Sequence, residues 1–300
     1  PPFVQPVVIP RDLPIAYVQA KAYLEGGSSA EDLVFVNAPE NLEELDVHFV
    51  ELFTSVLDRR GRPVEGLVQE DFRVLEDGEP QVIRRFEKVT DVPIYAGLLL
   101  DTSASMTEEL HTVVGAALRF FEQVLTPKDR AAVITFNDTH NLAVRFTHHA
   151  DVLAGGVAGL VAEGETALYD SLIYSLYYFS GVQGKRALIL ISDGEDSKSQ
   201  YRFDDALDYA RRTGVAIYTI GLGLPAAEKD IRIKLSYLAS ETGGRSFLID
   251  RVKELDQVYA TIEEELRSQY LLAYQSSHEG QDDRFRAVTV ELPGKPGLEA

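Results

Sequence analysis

The 300-residue sequence predicts an α/β protein with a doubly wound, mostly parallel six-stranded sheet and a flanking antiparallel β-sandwich. Between residues 93 and 269, short apolar runs alternate with amphipathic helical patterns, which is typical of a parallel sheet covered by helices on both faces. One connection, at Asn137 and Asp138, is too short for a crossover helix, so one edge strand is predicted to be antiparallel. Strand-like sequence on both sides of this segment predicts the sandwich.

The elements of the sheet follow from periodicity, in chain order. Apolar runs predict strands at residues 94–100, 131–136, 142–146, 186–191, 215–220 and 245–249, of which 142–146 is the antiparallel one. Stripes of apolar residues predict helices after Met106 and at residues 167–179, 203–212, 231–240 and 252–269. Gly214 is predicted to end the helix at 203–212, because glycine is favoured just after the last helical turn.

Three domains are predicted. Residues 1–45 form a partial N-terminal β segment, with strands at 16–24 and 33–36 around a turn. The β-sandwich combines residues 46–92 with 270–300, and the α/β domain spans 93–269. Within the sandwich, Asp77 and Gly78 predict a hairpin between strands at 71–75 and 81–86, since both residues tolerate positive φ. Return strands are predicted at 271–274 and 285–290.

Composition excludes several function classes. The net charge of −19 disfavours nucleic acid and anionic membrane surfaces as partners. No apolar run approaches the length of a membrane span, so no transmembrane segment is predicted in this chain. The absence of cysteine excludes disulfides, thiolate metal sites and cysteine nucleophiles. Because the sequence opens without methionine, it is expected to be a fragment or a processed form, with any targeting signal outside it.

The most informative motif follows the predicted strand at 94–100. Asp101, Ser103 and Ser105 alternate along the turn from that strand into a helix. Ligands of open α/β sheets bind at the carboxyl ends of the strands, and a carboxylate with two hydroxyls suits a hard ion such as Mg²⁺. Thr166 opens a predicted helix and Asp193 ends a strand at the same edge, so all five side chains are predicted to share one crevice.

In these motifs the chain resembles the von Willebrand factor type A (VWA) domain and its metal-ion-dependent adhesion site, which combines Asp-x-Ser-x-Ser with a threonine and an aspartate on two further loops. The resemblance covers about residues 93–269. It implies that Ser103 and Ser105 coordinate Mg²⁺ directly and that Thr166 does so directly or through water. Asp101 and Asp193 are implied to act largely through waters, and Mn²⁺ or Ca²⁺ are alternative ions. The flanking segments 56–64, 70–78 and 268–274 resemble the strand unit of a bacterial group of VWA-related proteins.

The function that this resemblance implies is noncatalytic. The chain is expected to be a divalent-metal-dependent protein-binding or adhesion module, in which the ion coordinates a glutamate or aspartate of a protein partner. The bacterial resemblance further implies an extracytoplasmic location: secreted, periplasmic or at the cell surface. The oligomeric state and the identity of the partner stay open.

Other interpretations compete with this one. The metal could serve only to stabilise a structural scaffold domain, and Ser103 or Thr166 taken singly could merely cap helices. Residues 99–104 also resemble the aspartic-protease signature, in which Asp101 would activate water in a hydrolase. That fold requires further strands after the motif, whereas a helical pattern follows here. Glu195 and Asp196 are interpreted as parts of a solvated loop.

Overall fold

The computed structural model describes residues 16–23, 29–36, 49–89, 92–194, 196–277 and 286–300. The chain forms two compact units, residues 1–48 and residues 49–300. In the first unit, strands β1 (Ala16–Tyr23) and β2 (Ser29–Val36) pair antiparallel along their whole length. Both predicted strands are confirmed, the second beginning earlier than predicted, and the turn between them lies outside the described residues.

The second unit contains the other elements. Its first strands are β3 (Phe49–Thr54), β4 (Leu57–Asp58), β5 (Arg73–Glu76), β6 (Glu79–Gln81) and β7 (Ile83–Lys88). The α/β part follows as β8 (Ile94–Asp101), α1 (Leu110–Val124), β9 (Arg130–Phe136), β10 (His140–Thr147), α2 (Ala150–Val157), α3 (Leu168–Tyr178), β11 (Lys185–Ser192), α4 (Phe203–Thr213), β12 (Ala216–Leu222), α5 (Lys229–Ser240), β13 (Ser246–Ile249) and α6 (Leu255–Arg267). Strands β14 (Tyr270–Gln275), β15 (Val288–Glu291) and β16 (Leu298–Glu299) come last.

The central sheet has the order β10–β9–β8–β11–β12–β13 and is parallel except for β10, which runs antiparallel to β9. This confirms the predicted fold class. Apolar residues of α1, α2 and α6 form the core on one face, and those of α3, α4 and α5 form the core on the other. In β8, Leu98 packs into the first core and Leu99 into the second, and both are buried. A strand covered on both faces therefore appears in the sequence as a continuous apolar run.

Two helices differ from what the sequence predicts: one was not predicted at all, and one is shorter than predicted. α2 was not predicted, because Gly155 and Gly156 weaken its helical pattern. Gly156 is required by packing, since an added Cβ would lie 2.0 Å from Cγ2 of Val144. The predicted helix at 252–269 is shorter in the structure: a 3₁₀ turn precedes α6, which ends at Arg267.

Six of the remaining strands of the second unit form a β-sandwich from both ends of the chain. One sheet has the order β3–β14–β7 and the other β15–β5–β6, all antiparallel, while β4 and β16 pair with each other in a separate two-stranded sheet. Their shared core contains Phe72, Phe86 and Tyr270, whose rings lie 5.3–5.6 Å apart. The predicted β-sandwich architecture is thus present, while the predicted domain boundaries stay predictions.

The predicted hairpin is only half correct. Asp77 and Gly78 form the turn between β5 and β6 with φ of 50° and 85°. The predicted second strand at 81–86, however, is divided at Val82, so β6 pairs with β5 whereas β7 pairs with β14 in the opposite sheet. Val82 itself is exposed, and the chain changes sheets at this point.

A polar cluster lies at the amino edge of the central sheet. The carboxylate of Asp129 is buried and accepts hydrogen bonds from the backbone N–H of Ile94, from Thr126 and from Nη2 of Arg267 at 2.7 Å. Lys185 is also buried, and its ammonium donates to the carbonyls of Val89 and Leu266, both at 2.8 Å. This cluster joins the start of β8 to the end of α6.

None of the helices in the described part of the chain is long and apolar enough to cross a bilayer.

Candidate functional site

Asp101 is the last residue of β8 and its side chain is fully buried. Oδ1 accepts the backbone N–H of Ser103 at 2.8 Å, and Oδ2 accepts the hydroxyl of Ser192 at 2.7 Å. Burial raises the pKa of Asp101, and the hydrogen bonds from Ser103 and Ser192 oppose that rise without cancelling it. The carboxylate therefore fixes the shape of the loop that leaves β8 and ties it to the end of β11.

The two serines of the motif lead from this buried carboxylate to the surface. Ser103 is buried and Ser105 is exposed, and their hydroxyl oxygens lie 3.0 Å apart. The hydroxyl of Ser105 donates to Oδ1 of Asp193 at 2.8 Å. A row of oxygen atoms thus connects the loop after β8 to the loop after β11, as the sequence predicts.

Thr166 lies on the second loop, which is bonded to the first through the backbone. The N–H of Ala104 donates to the carbonyl of Gly164 at 3.1 Å, and the N–H of Glu163 donates to the carbonyl of Thr102 at 2.9 Å. Thr166 is buried and its N–H donates to the hydroxyl of Ser197 on the third loop at 3.1 Å. All three predicted loops therefore meet at the carboxyl edge of the sheet.

Two residues of this region escaped sequence reasoning. Ser192 supports Asp101 directly, although as the last residue of an apolar strand it gave no signal beyond its position. Asp196 was interpreted as part of a solvated loop, and that interpretation is wrong. Its Oδ1 accepts the N–H of Leu168 at 2.8 Å at the start of α3, where four backbone N–H groups need partners. Glu195 lies outside the described residues.

The donor set fits a hard divalent ion in its chemistry. Mg²⁺ prefers octahedral coordination at about 2.0–2.1 Å, so neighbouring ligand oxygens lie about 2.9 Å apart. The spacing of 3.0 Å between the hydroxyls of Ser103 and Ser105 matches that separation. Among the described residues, no group of three or more His, Cys, Asp or Glu side chains is placed to share an ion. The predicted set differs from such a group, because it combines two carboxylates with three hydroxyls.

The protease alternative finds no support in the local fold. A 3₁₀ turn and then α1 follow the motif, where that alternative requires strands. Ser105 contacts Asp193 through its hydroxyl, and Ser103 contacts Asp101 through its backbone.

One family model matches the part of the chain that forms the central sheet. Residues 97–261 match the model of the von Willebrand factor type A domain. A search of curated protein sequences found no significant match.

Three solved structures share the fold at low sequence identity. The vWF domain of the type V pilus tip protein Mfa5 from Porphyromonas gingivalis is 15% identical, with a TM-score of 0.50 over 59% of this chain and 95% of its own. A von Willebrand factor type A protein from Catenulispora acidiphila is 15% identical, with a TM-score of 0.51 over 73% of this chain and 50% of its own. Proximal thread matrix protein 1 from the mussel byssus is 16% identical, with a TM-score of 0.52 over 64% of this chain and 51% of its own.

The family match spans more than half of the chain and coincides with the central sheet and its helices. The chain therefore belongs to the von Willebrand factor type A domain family.

Proposed function

We propose that this chain is a noncatalytic protein-binding module whose attachment to its partner depends on a divalent metal ion. The observation that carries the proposal is the row of oxygens from Ser103 through Ser105 to Asp193, with separations of 3.0 Å and 2.8 Å. These side chains come from two loops at the edge of the sheet where ligands of such folds bind.

The five predicted residues would have different roles in binding the ion. Ser103 and Ser105 would supply hydroxyl ligands and Thr166 a third oxygen from the second loop. Asp193 would orient the hydroxyl of Ser105, with which it already shares a hydrogen bond. Asp101 would fix the loop through Ser103 and add negative charge beneath the ion.

When bound, Mg²⁺ supplies an electrophilic coordination position that a carboxylate of a partner can fill. Mn²⁺ and Ca²⁺ take oxygen ligands as well and are alternative occupants. Because Ser105 is exposed, a glutamate or aspartate side chain of a protein partner can approach from solvent. Nothing in this arrangement requires a bond of the partner to break.

An extracytoplasmic location is part of the proposal. The Mfa5 domain belongs to a pilus tip protein, and proximal thread matrix protein 1 comes from the mussel byssus. Both descriptions support a role outside the cytoplasm for this chain, as the bacterial resemblance of its sequence does.

Calorimetric titration of the chelator-treated full chain with Mg²⁺ tests the metal site. We expect one-site binding by the wild type and none by the Ser103→Ala/Ser105→Ala variant, since both hydroxyl ligands are lost. Ser180→Ala is the matched control, because it removes an exposed serine hydroxyl just after α3, outside the predicted ligand set. Equal binding by the double variant and the wild type would contradict the proposed site.

A further inference from the structure

The loops around the proposed metal site carry an excess of acidic side chains. Glu108, Asp138, Glu163 and Glu165 are all exposed there, and we refer to them as the acidic rim. Lys198 lies on the same edge, but its ammonium is already paired with Oε2 of Glu165 at 2.7 Å. Within the described residues, the other three members form no ion pair. The rim therefore presents net negative charge to anything that approaches the site.

Contacts hold the rim close to the Asp-x-Ser-x-Ser loop. The backbone of Glu163 donates to the carbonyl of Thr102, next to Ser103. A Cβ added at Gly164 would lie 2.3 Å from Oδ2 of Asp138, so the Asp138 carboxylate lies against the second loop. Glu108 follows Ser105 in the turn that leads into α1. The rim residues therefore lie on, or directly against, the loops that carry the proposed ligands.

A cavity of about 380 Å³ opens beside this place. Thr102 belongs both to its wall and to the Asp-x-Ser-x-Ser loop, and the wall also includes Thr135, Asn137, Asn141 and Glu163. Hydroxyl and amide oxygens with one carboxylate accept hydrogen bonds from an ammonium or guanidinium group. Anionic groups would be repelled by the carboxylate.

The charge of the rim opposes a carboxylate ligand that arrives alone. A bound cation attracts that carboxylate at short range, whereas the rim repels it during the approach. Basic side chains next to the carboxylate reverse this balance, because they are drawn to the rim and steer the encounter.

We propose that the partner presents its acidic residue between lysine or arginine side chains and that one of these basic side chains enters the cavity beside Thr102. This inference rests on the proposed function, because it specifies the partner of the same site. It adds a requirement that the metal site alone does not impose.

Three capped peptides test it: acetyl-Gly-Gly-Glu-Gly-Gly-amide and its analogues with Lys or Glu in place of the two glycines that flank the central Glu. Each is titrated into the full chain at saturating Mg²⁺, at two ionic strengths, and again with chelator. We expect the lysine-flanked peptide to bind roughly threefold to tenfold more tightly than the glycine-flanked one at low ionic strength. The glutamate-flanked peptide should bind most weakly, and all differences should shrink in salt.

Variants separate the rim from the overall charge of the chain. The Glu108→Gln/Glu163→Gln variant should lose most of the preference for lysine while still binding the glycine-flanked peptide. Glu122→Gln, which neutralises an exposed residue near the opposite end of α1, should leave the preference unchanged.

The outcomes distinguish this inference from the proposed function. If all three peptides bind equally in Mg²⁺, the basic flank is irrelevant and the inference fails while the proposed function stands. If the preference for lysine persists in chelator or in the double variant, it reflects only the net charge of −19, and the inference also fails. If no peptide binds in a Mg²⁺-dependent way, the proposed function and the inference fail together.

Discussion

The two edges of the central sheet each bury one aspartate, and the two carboxyl groups differ in their pKa values. Burial acts to raise the pKa of both. At Asp129 the hydrogen bonds from Arg267, Thr126 and Ile94 outweigh burial and lower the pKa to about 2. At Asp101 the donors, Ser103 and Ser192, are neutral, and the pKa stays above its ordinary value. The two pKa values therefore move in opposite directions. Asp129 accepts hydrogen bonds from a guanidinium and from two neutral donors, whereas Asp101 is more strongly desolvated, has only neutral donors and lies near the charge of Asp193.

The two edges also differ in how the charge of the aspartate is compensated. At the amino edge the charge of Asp129 is compensated by Arg267, so the cluster holds α6 against the start of β8. At the carboxyl edge no described residue forms an ion pair with Asp101, and the oxygens of Ser103 and Ser105 lie beside it. Burying a charge without compensation is unfavourable, and a divalent ion at the carboxyl edge would supply the missing positive charge.

The largest predicted effect comes from removing the compensated carboxylate. Asp129→Ala removes the buried carboxylate to which Arg267 and the N–H of Ile94 donate, so the free energy of unfolding should fall by roughly 3–5 kcal/mol. Asp101→Ala is the matched control and should destabilise the chelator-treated protein by about 1 kcal/mol, since its own charge is uncompensated. Urea denaturation measures the free energy of unfolding of both variants. Equal losses would contradict the conclusion that Asp129 contributes more to stability than Asp101.

The second-largest predicted effect is the loss of stability in acid that the protonation of Asp129 causes. The pKa of Asp129 is about 2 in the folded chain and has an ordinary value of 3.8. The stability that this depressed pKa contributes is present above pH 4 and lost as the pH falls toward 2, by about 2 kcal/mol. The free energy of unfolding measured across this range should fall less steeply in Asp129→Asn. A slope unchanged by that substitution would show that other carboxyls carry the transition.

A smaller effect on stability is expected at Asp196, which accepts a hydrogen bond from the start of α3 near the carboxyl edge. Asp196→Ala removes the acceptor at the start of α3 and should lower the free energy of unfolding by about 1 kcal/mol. Asp196→Asn should restore most of this loss in urea denaturation, because the amide oxygen still accepts a hydrogen bond. If Asp196→Ala left stability unchanged, the interpretation of Asp196 as a solvated side chain would be reinstated.

The smallest effect on stability is predicted for the proposed ligands themselves. In chelator, Ser103→Ala/Ser105→Ala should change the free energy of unfolding by only about 0.5 kcal/mol, since Ser105 is exposed and alanine at position 103 keeps the backbone N–H that bonds to Asp101. Denaturation of both proteins in the same chelator buffer checks this. A loss of several kcal/mol would mean that the serines hold the fold rather than a ligand.

Local sequence patterns predicted the position of the aspartate at the carboxyl edge of the sheet, but not the contacts of the aspartate at the amino edge. The Asp-x-Ser-x-Ser motif follows a continuous apolar run, so the position of Asp101 at a strand end could be predicted from its neighbours. Asp129 follows a proline-containing turn, and its partner Arg267 lies 138 residues away, so no spacing in the sequence indicates their contact. Helix α2 escaped prediction for a related reason, because Gly156 is explained only by its contact with Val144 on β10.

The most direct test of the account is the gain in unfolding free energy on adding Mg²⁺, measured by urea denaturation at a concentration about 100 times the dissociation constant. An ion that binds only the folded chain adds about 2.7 kcal/mol under that condition. We predict this gain for the wild type and for Asp129→Asn, despite the lower starting stability of that variant, and no gain for Ser103→Ala/Ser105→Ala. A gain of equal size in all three proteins would contradict the assignment of the metal site to the carboxyl edge.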